Sequence, residues 1–178
     1  MKRTVLAALL PVLATLTFTA CGAADATQGS TAGAPAANGD AKAGFRLATL
    51  DGGEVGPPDY AGKVVIVDFW ATWCIPCHAQ AEVLKGVYRE LGAEQVQVLA
   101  VDVGETETQV RGFVEKRPFP YPVLLDPESE LADSLGVYSL PTLMVIDTRG
   151  EVTYFEPGLL AENDLCQVLA DAGTTRTC

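Results

Sequence analysis

Histidine and positive charge are both scarce in this chain of 178 residues. It has one histidine, and its 12 Lys and Arg against 23 Asp and Glu give a net charge of −11. A surface with this balance would be repelled by a phosphate backbone, so we expect no nucleic-acid partner. The histidine, His78, directly follows a Cys-x-x-Cys motif that has no second copy. Four zinc ligands at suitable spacing are therefore hard to assemble, and neither a metal nor another cofactor is expected.

Large apolar side chains are missing from residues 22–44, which consist mainly of Ala, Gly, Thr, Ser, Asn and Pro. Such a segment cannot bury enough surface to offset its chain entropy, so it is predicted to be a flexible tether whose ends lie roughly 25 Å apart. The tether is preceded by a positively charged N-terminus, with Lys2 and Arg3, and by a mostly apolar stretch over residues 5–20. This order is typical of an export signal, which places the protein outside the cytoplasm.

The end of the apolar stretch, Phe18-Thr19-Ala20-Cys21, resembles a bacterial lipobox, although that pattern usually has Leu in place of Phe18. The resemblance implies that Cys21 receives a diacylglyceryl group before cleavage, which anchors the protein to a membrane. Ordinary signal-peptidase cleavage near Ala24 or Ala26 is one alternative, and an uncleaved anchor is another. The chain is thus divided into three parts: a signal peptide over 1–20, a tether over 21–44 and one folded domain over 45–178.

The remaining sequence alternates segments that are typical of strands and helices. Residues 63–70 and 96–103 are nearly continuous apolar runs, which indicate strands buried on both faces of a sheet. The other predicted strands are 45–50 with 54–55, 121–125, 142–146 and 151–155, and the predicted helices are 74–91, 106–117, 129–135 and 159–172. This order predicts an α/β domain with a mixed central β-sheet flanked by helices.

The chemistry is concentrated in the segment Asp68-Phe69-Trp70-Ala71-Thr72-Trp73-Cys74-Ile75-Pro76-Cys77, where a buried strand runs into a Cys-x-x-Cys pair at a helix start. The helix dipole and its free N–H groups stabilise a Cys74 thiolate, and the short spacing lets Cys77 reach back to it. Pro76 falls in the first helical turn, where a missing N–H does little harm. The arrangement favours a redox-active dithiol over half of a zinc site or a structural disulfide, with His78 as an exposed neighbour that modulates the pair.

With its flanking residues, the motif resembles the active site of thioredoxin-like proteins. Three further features narrow the resemblance to the TlpA-like and ResA-like branch of exported thiol–disulfide oxidoreductases. They are Gly62-Lys63, the helix–strand unit over residues 104–125, and Leu140-Pro141-Thr142. The resemblance implies a thioredoxin fold with an N-terminal β extension and an inserted helix–strand unit. It also implies two kinds of partner: exported proteins with thiols or disulfides, and a membrane thiol reductase as electron donor.

The same resemblance implies roles for individual residues. Cys74 is the attacking thiolate, Cys77 is the resolving thiol, and Leu140-Pro141 is a cis peptide bond that faces them and exposes backbone to an extended substrate. The sequence Leu-Pro-Thr by itself also permits a proline that simply begins a strand. The residues expected to contact substrate are Trp73, Ile75, Pro76, Leu140 and Pro141.

Asp68 is an acid inside an otherwise apolar strand, six residues before Cys74. Burial is expected to raise its pKa toward neutrality and to let it exchange a proton with Cys77 through water. The position resembles the buried aspartate of thioredoxin, whereas ResA-like proteins often have Asn there and a Glu at the position of Gln80. The alternative is a solvated aspartate, or one paired with Lys63.

The predicted function is the reduction or exchange of disulfides in exported proteins, with cytochrome c maturation as one task that the family implies. A thiol-dependent peroxidase is an alternative, because the inserted unit also resembles peroxiredoxins, although Thr72 stands too close to Cys74 for their Thr-x-x-Cys motif. A non-catalytic binding lipoprotein is a third possibility, and the intact motif argues against it. Cys166 and Cys178 either form a second disulfide or remain separate thiols.

Overall fold

The computed structural model of the protein describes residues 43–176 and Cys178. The strands found there are β1 (Leu47–Ala48), β2 (Glu54–Val55), β3 (Val64–Trp70), β4 (Val96–Val103), β5 (Val123–Asp126), β6 (Thr142–Ile146) and β7 (Val152–Pro157). The α-helices are α1 (Ile75–Leu91), α2 (Glu107–Val114), α3 (Glu130–Leu135) and α4 (Glu162–Asp171), and a 3-10 helix covers Pro57–Tyr60. Within this part of the chain, no helix has both the length and the apolar character needed to span a bilayer.

The five longer strands form one mixed sheet in the order β5-β4-β3-β6-β7. β3 pairs in parallel with β4 and antiparallel with β6, and it is buried along its whole length. Both faces of such a strand are covered, which explains why its sequence is an apolar run without alternation. β1 and β2 form a separate antiparallel ribbon. The expected mixed sheet, N-terminal β extension and inserted helix–strand unit, here α2 and β5, are confirmed.

The two faces of the sheet carry separate hydrophobic cores. On one face, Val64, Ile66 and Trp70 of β3 pack in a core that includes side chains of α1 and α4. On the other face, the intervening residues of β3 pack in a core shared with α3 and the β1–β2 ribbon. Because side chains of a strand alternate between its faces, Asp68 lies on the α1 side.

Two helices are shorter than the sequence pattern predicts. α2 ends at Val114 instead of Arg117, and the residues after it lead to Pro118, which disfavours helical backbone in the residue before it. α4 begins at Glu162 instead of Leu159, and the Leu160 N–H before it donates a hydrogen bond to a side chain of α1.

The cysteines outside the motif form a disulfide, Cys166–Cys178, which decides between the two alternatives that the sequence left open. Cys166 lies on α4, so the bond ties the C-terminal segment back to that helix. The same segment is held by Gln95, whose Oε1 accepts hydrogen bonds from the Thr175 N–H at 2.8 Å and the Arg176 N–H at 3.0 Å. Covalent and polar contacts thus fix the end of the domain together.

Replacing both partners, Cys166→Ser with Cys178→Ser, is expected to lower the free energy of unfolding by about 3 kcal/mol. The cross-link joins residues with a sequence separation of 12, and closing a loop of that size restricts the unfolded chain by about this amount. Urea unfolding followed by tryptophan fluorescence measures the change, with Cys74–Cys77 oxidised in both proteins. An unchanged unfolding midpoint and slope would contradict the prediction.

Candidate active site

Three segments of the chain meet at one edge of the central sheet. β3 ends there and leads into Ala71–Cys74, β6 begins there after Pro141, and β7 ends there at Pro157. β6 is antiparallel to both neighbours, so its start lies beside their ends. The Gly158 N–H accordingly donates a hydrogen bond to the Pro141 carbonyl at 2.8 Å. The Cys-x-x-Cys motif, the proline loop and the loop after β7 therefore share one site.

The two cysteines of the motif lie at the start of α1. Cys74 is its N-cap residue and forms a disulfide with Cys77, with Cα atoms 5.2 Å apart. The Cys77 N–H donates to the Cys74 sulfur at 3.3 Å. In the reduced protein, the same N–H and the helix dipole favour a Cys74 thiolate. Cys74 is 3% and Cys77 1% exposed, so a substrate must dock closely to reach either sulfur.

Exposed apolar side chains lie on the loops beside this recessed pair. Trp73 and Ile75, on either side of Cys74, are 70% and 79% exposed, while Tyr138 and Leu159 are 90% and 50% exposed. Within the described chain these four are the large hydrophobic residues with such exposure, and all come from the three segments at the sheet edge. We call them the apolar rim. Exposed apolar side chains on loops that share one site are candidates for contact with a partner.

The peptide bond between Leu140 and Pro141 is cis, as the resemblance implied. Pro141 is buried, and Leu140 is partly buried and packs against both hydrophobic cores. The Thr142 hydroxyl closes the turn by donating to the Ser139 carbonyl at 2.7 Å. The loop before β6 is thereby held in place at the sheet edge, beside the rim.

Asp68 is fully buried on the α1 side of β3, and its carboxyl oxygens have no hydrogen-bond partner among the described residues. Burial raises the pKa of Asp68 to about 7, because the charged form is poorly solvated there, and this confirms the predicted direction. Lys63 instead donates to the Ala93 carbonyl at 2.8 Å, so the alternatives of a solvated or Lys63-paired aspartate are wrong. An acid that titrates near neutral pH therefore lies beneath the helix that carries Cys77.

Two further polar residues are buried around the same helix. Gln80 is buried in α1, and its Oε1 accepts a hydrogen bond from the Leu160 N–H at 2.7 Å, which attaches the helix to the loop after β7. Tyr121 is buried as well, and burial followed by the nearby Asp68 charge raises the pKa of its hydroxyl. Gln80 thus acts as a structural link, and Asp68 is a buried acid on this side of the sheet.

His78 is half-buried, which differs from the exposed neighbour that the sequence predicts. Its Nε2 contacts the Thr72 carbonyl at 2.9 Å and must donate, because a carbonyl only accepts. The other ring nitrogen, Nδ1, then accepts from Arg117 at 3.2 Å, and the ring lies 5.0 Å from that of Phe113. Residues 43–176 and Cys178 contain no group of three or more His, Cys, Asp and Glu side chains placed to hold a metal ion.

The sequence pattern does not point to Glu105, which contacts the active-site loop directly. Glu105 is buried and accepts hydrogen bonds from the Thr72 N–H at 2.5 Å and the Thr72 hydroxyl at 2.6 Å. Asp102 is fully buried nearby in β4, and burial followed by the neighbouring Glu105 raises the pKa of Asp102 to about 8. Asp102 interrupts an apolar run as Asp68 does, which is a usable signal, whereas Glu105 lies in a polar loop and has none.

Known proteins are similar to this chain in sequence and in fold. Residues 38–155 match the family model described as the AhpC/TSA family. The thiol–disulfide oxidoreductase ResA of Geobacillus thermodenitrificans is 34% identical over 125 residues, which cover 70% of this chain and 72% of that protein.

Solved structures extend the similarity to three dimensions. The thiol:disulfide interchange protein DsbE of Chlorobium tepidum has 29% identity and a TM-score of 0.67, over 72% of this chain and 92% of that one. The exposed lipoprotein thioredoxin of Streptococcus pneumoniae strain TIGR4 has 31% identity and a TM-score of 0.64, over 71% and 98%. The predicted thioredoxin fold is confirmed by these matches. The chain belongs to the AhpC/TSA family of thioredoxin-like proteins, and it is a thiol–disulfide oxidoreductase.

Proposed function

We propose that this oxidoreductase works outside the cytoplasm, from a membrane anchor, and reduces or exchanges disulfides in exported proteins through Cys74 and Cys77. The apolar rim, on the loops beside two recessed sulfurs, carries this proposal. A small polar disulfide gains little from such a surface, whereas a polypeptide with apolar side chains beside its cysteine can cover it. The rim therefore favours protein substrates over small thiols and peroxides.

Residues of the Cys-x-x-Cys motif and of the loops beside it are assigned to substrate contact. The residues concerned are Trp73, Ile75, Pro76, Leu140 and Pro141, to which we add Tyr138 and Leu159 because they are exposed. Because both sulfurs are recessed, the substrate must present its cysteine on an extended segment that enters between these residues. Backbone pairing with the loop before β6 would hold such a segment, as in strand addition.

The reaction consists of two exchanges that transfer two electrons. The Cys74 thiolate attacks one sulfur of the substrate disulfide, that S–S bond breaks, and the other substrate sulfur leaves as a thiolate. Cys77 then loses its proton toward Asp68 and attacks the Cys74 sulfur, which releases the second substrate thiol and leaves Cys74–Cys77 oxidised. A membrane thiol reductase restores the dithiol by the same exchanges in reverse.

Cytochrome c maturation is one task that fits this site. Haem attachment to a Cys-x-x-Cys-His motif requires both cysteines to be reduced, and the exported apoprotein must be accessible before it folds around the haem. An unfolded chain supplies the extended segment that the apolar rim requires. The peroxidase alternative gains no such support, because the Thr72 hydroxyl is bonded to Glu105.

Anchoring depends on the signal peptide over 1–20, on Cys21 and on the tether, and residues 1–42 lie outside the described residues. The similar Streptococcus pneumoniae protein is an exposed lipoprotein, which supports the same arrangement here. Wild-type protein is expected to fractionate with membranes and to carry lipid on Cys21. The Cys21→Ala variant is expected to be released or left unprocessed, whereas soluble wild-type protein beginning near Asp25 would show ordinary cleavage instead.

The test of the proposed substrate class compares two unfolded peptides with one disulfide each, and hydrogen peroxide. The peptides differ only in having apolar or polar residues beside the cysteine. The kcat/KM for the apolar peptide is expected to be about tenfold higher, which corresponds to the burial of one apolar side chain. The advantage is expected to disappear in Trp73→Ala and Tyr138→Ala. Equal rates for the two peptides, or efficient peroxide consumption, would contradict the proposed function.

A further inference from the structure

The inserted helix–strand unit holds the active-site loop from two sides. On one side, Glu105 accepts hydrogen bonds from the N–H and the hydroxyl of Thr72. On the other side, the Thr72 carbonyl accepts from His78, whose second ring nitrogen accepts from Arg117 of the same unit. Every polar group of Thr72 is therefore engaged, and Thr72 lies two residues before Cys74 in the sequence.

The contact with Glu105 places a negative charge inside the protein. Glu105 is 5% exposed, so its charge is screened less than that of a surface carboxylate. Both of its oxygens accept hydrogen bonds from Thr72, as those of an ionised carboxylate do. Burial and then Glu105 raise the pKa of Asp102 beside it to about 8, which favours the protonated form of Asp102 at neutral pH. Glu105 contacts the loop that leads into α1, so a buried charge on it lies near the start of that helix.

We infer that Glu105 is a positioning residue that also sets the redox balance of the dithiol. Through Thr72 it fixes the loop that leads into Cys74, and its buried charge disfavours the Cys74 thiolate. A disfavoured thiolate makes the reduced form less stable relative to the disulfide, so the pair is a stronger reductant than it would be without Glu105. This role rests on the proposed function of Cys74 and Cys77 as the reactive pair.

The test measures the equilibrium of the Cys74–Cys77 pair with glutathione, and the pH dependence of Cys74 alkylation, in the full-length protein. Glu105→Gln keeps the shape of the side chain and removes its charge. The equilibrium is expected to shift about tenfold toward the dithiol, equivalent to about 30 mV, with a lower Cys74 pKa. Thr72→Val removes the hydroxyl that donates a hydrogen bond to the Glu105 carboxylate, so the negative charge is less neutralised. The equilibrium of this variant is therefore expected to shift toward the disulfide.

Two matched variants serve as controls. Thr72→Ser keeps the hydroxyl and is expected to behave as wild type, and Glu115→Gln removes an exposed charge from the same unit. The role of the charge is supported if the glutathione equilibrium shifts in opposite directions in Glu105→Gln and Thr72→Val. It is also supported if the equilibrium shifts toward the dithiol in Glu105→Gln and stays unchanged in Thr72→Val. Shifts of the same sign would mean that both changes only loosen the loop, and they would overturn the inference, as would an unchanged equilibrium in Glu105→Gln.

Folding and function can be separated in this design. If Glu105→Gln fails to fold, the glutathione equilibria of Thr72→Val and Thr72→Ser are compared instead. A shift toward the disulfide in Thr72→Val and not in Thr72→Ser supports the inference. Equal equilibria in the two variants overturn it. The glutathione equilibrium needs no protein substrate. A failure to find exported substrates would therefore count against the proposed function and leave this measurement unaffected.

Discussion

Replacement of Cys74 by serine is expected to lower kcat/KM for disulfide reduction by at least about a thousandfold, whereas Cys77→Ala is expected to trap substrates as mixed disulfides. A serine hydroxyl is not ionised at neutral pH and cannot form the S–S bond of the first exchange. In Cys77→Ala the first exchange still proceeds, because the helix start still stabilises the Cys74 thiolate, but no second sulfur resolves the product. Non-reducing electrophoresis and mass spectrometry detect the trapped proteins and identify them.

The variant with Cys166→Ser and Cys178→Ser is the matched control, because it loses a disulfide of the same chain and keeps the dithiol. It is expected to retain activity and to trap nothing. Alkylation at mildly acidic pH is expected to label Cys74 before Cys77, since the Cys77 N–H donates to the sulfur of Cys74. Trapping by Cys74→Ser and not by Cys77→Ala would reverse the two roles.

Local sequence pattern was sufficient to predict the elements that carry the site. The apolar runs correspond to β3 and β4, and α1 ends at Leu91, the last residue of the predicted helix. The pattern could not show that β3 lies between β4 and β6, because strand order depends on contacts between distant segments. Family resemblance supplied that step, since it implied the whole fold at once.

The same distinction applies to the site residues. Cys74, Cys77 and Asp68 stand within one short segment, so their chemistry is visible in the sequence. Glu105 acts on Thr72 from 33 residues away, and nothing in its own neighbourhood distinguishes it from a solvated loop acid. Tyr138 belongs to the apolar rim because folding brings its loop to the sheet edge, and an isolated tyrosine in a loop gives no such signal.

Asp68→Asn is expected to make the protein more stable at neutral pH. Asp68 is fully buried, and its pKa in the folded protein is about 7, compared with about 3.9 in an unfolded chain. The folded state therefore binds a proton that the unfolded state has released between these two pH values. Stability accordingly falls as the pH rises from about 4 to about 7, and the loss is complete above that range.

The difference between the two pKa values corresponds to a loss of at most about 4 kcal/mol in the free energy of unfolding. Asp68→Asn avoids this loss, but burial of the asparagine amide costs part of the benefit. The variant is therefore expected to raise the free energy of unfolding by about 2 kcal/mol at pH 8 and by almost nothing at pH 4. Urea unfolding of both proteins at the two pH values measures the effect, with Asp133→Asn, an exposed acid on α3, as control. A gain of equal size at both pH values would mean that packing and not ionisation causes it.

The kinetics of the same variant test whether Asp68 takes part in the reaction. Cys77 must lose a proton before it attacks the mixed disulfide, and an amide cannot accept that proton, so resolution near pH 7 is expected to be at least about tenfold slower. The first attack is expected to be nearly unchanged, because the helix start stabilises the Cys74 thiolate. Stopped-flow mixing with a disulfide peptide over about pH 6–9 separates the two phases. Resolution at the wild-type rate across that range would assign the proton to another group, and Glu82, which lines a cleft together with Cys77, would be the next acid to replace.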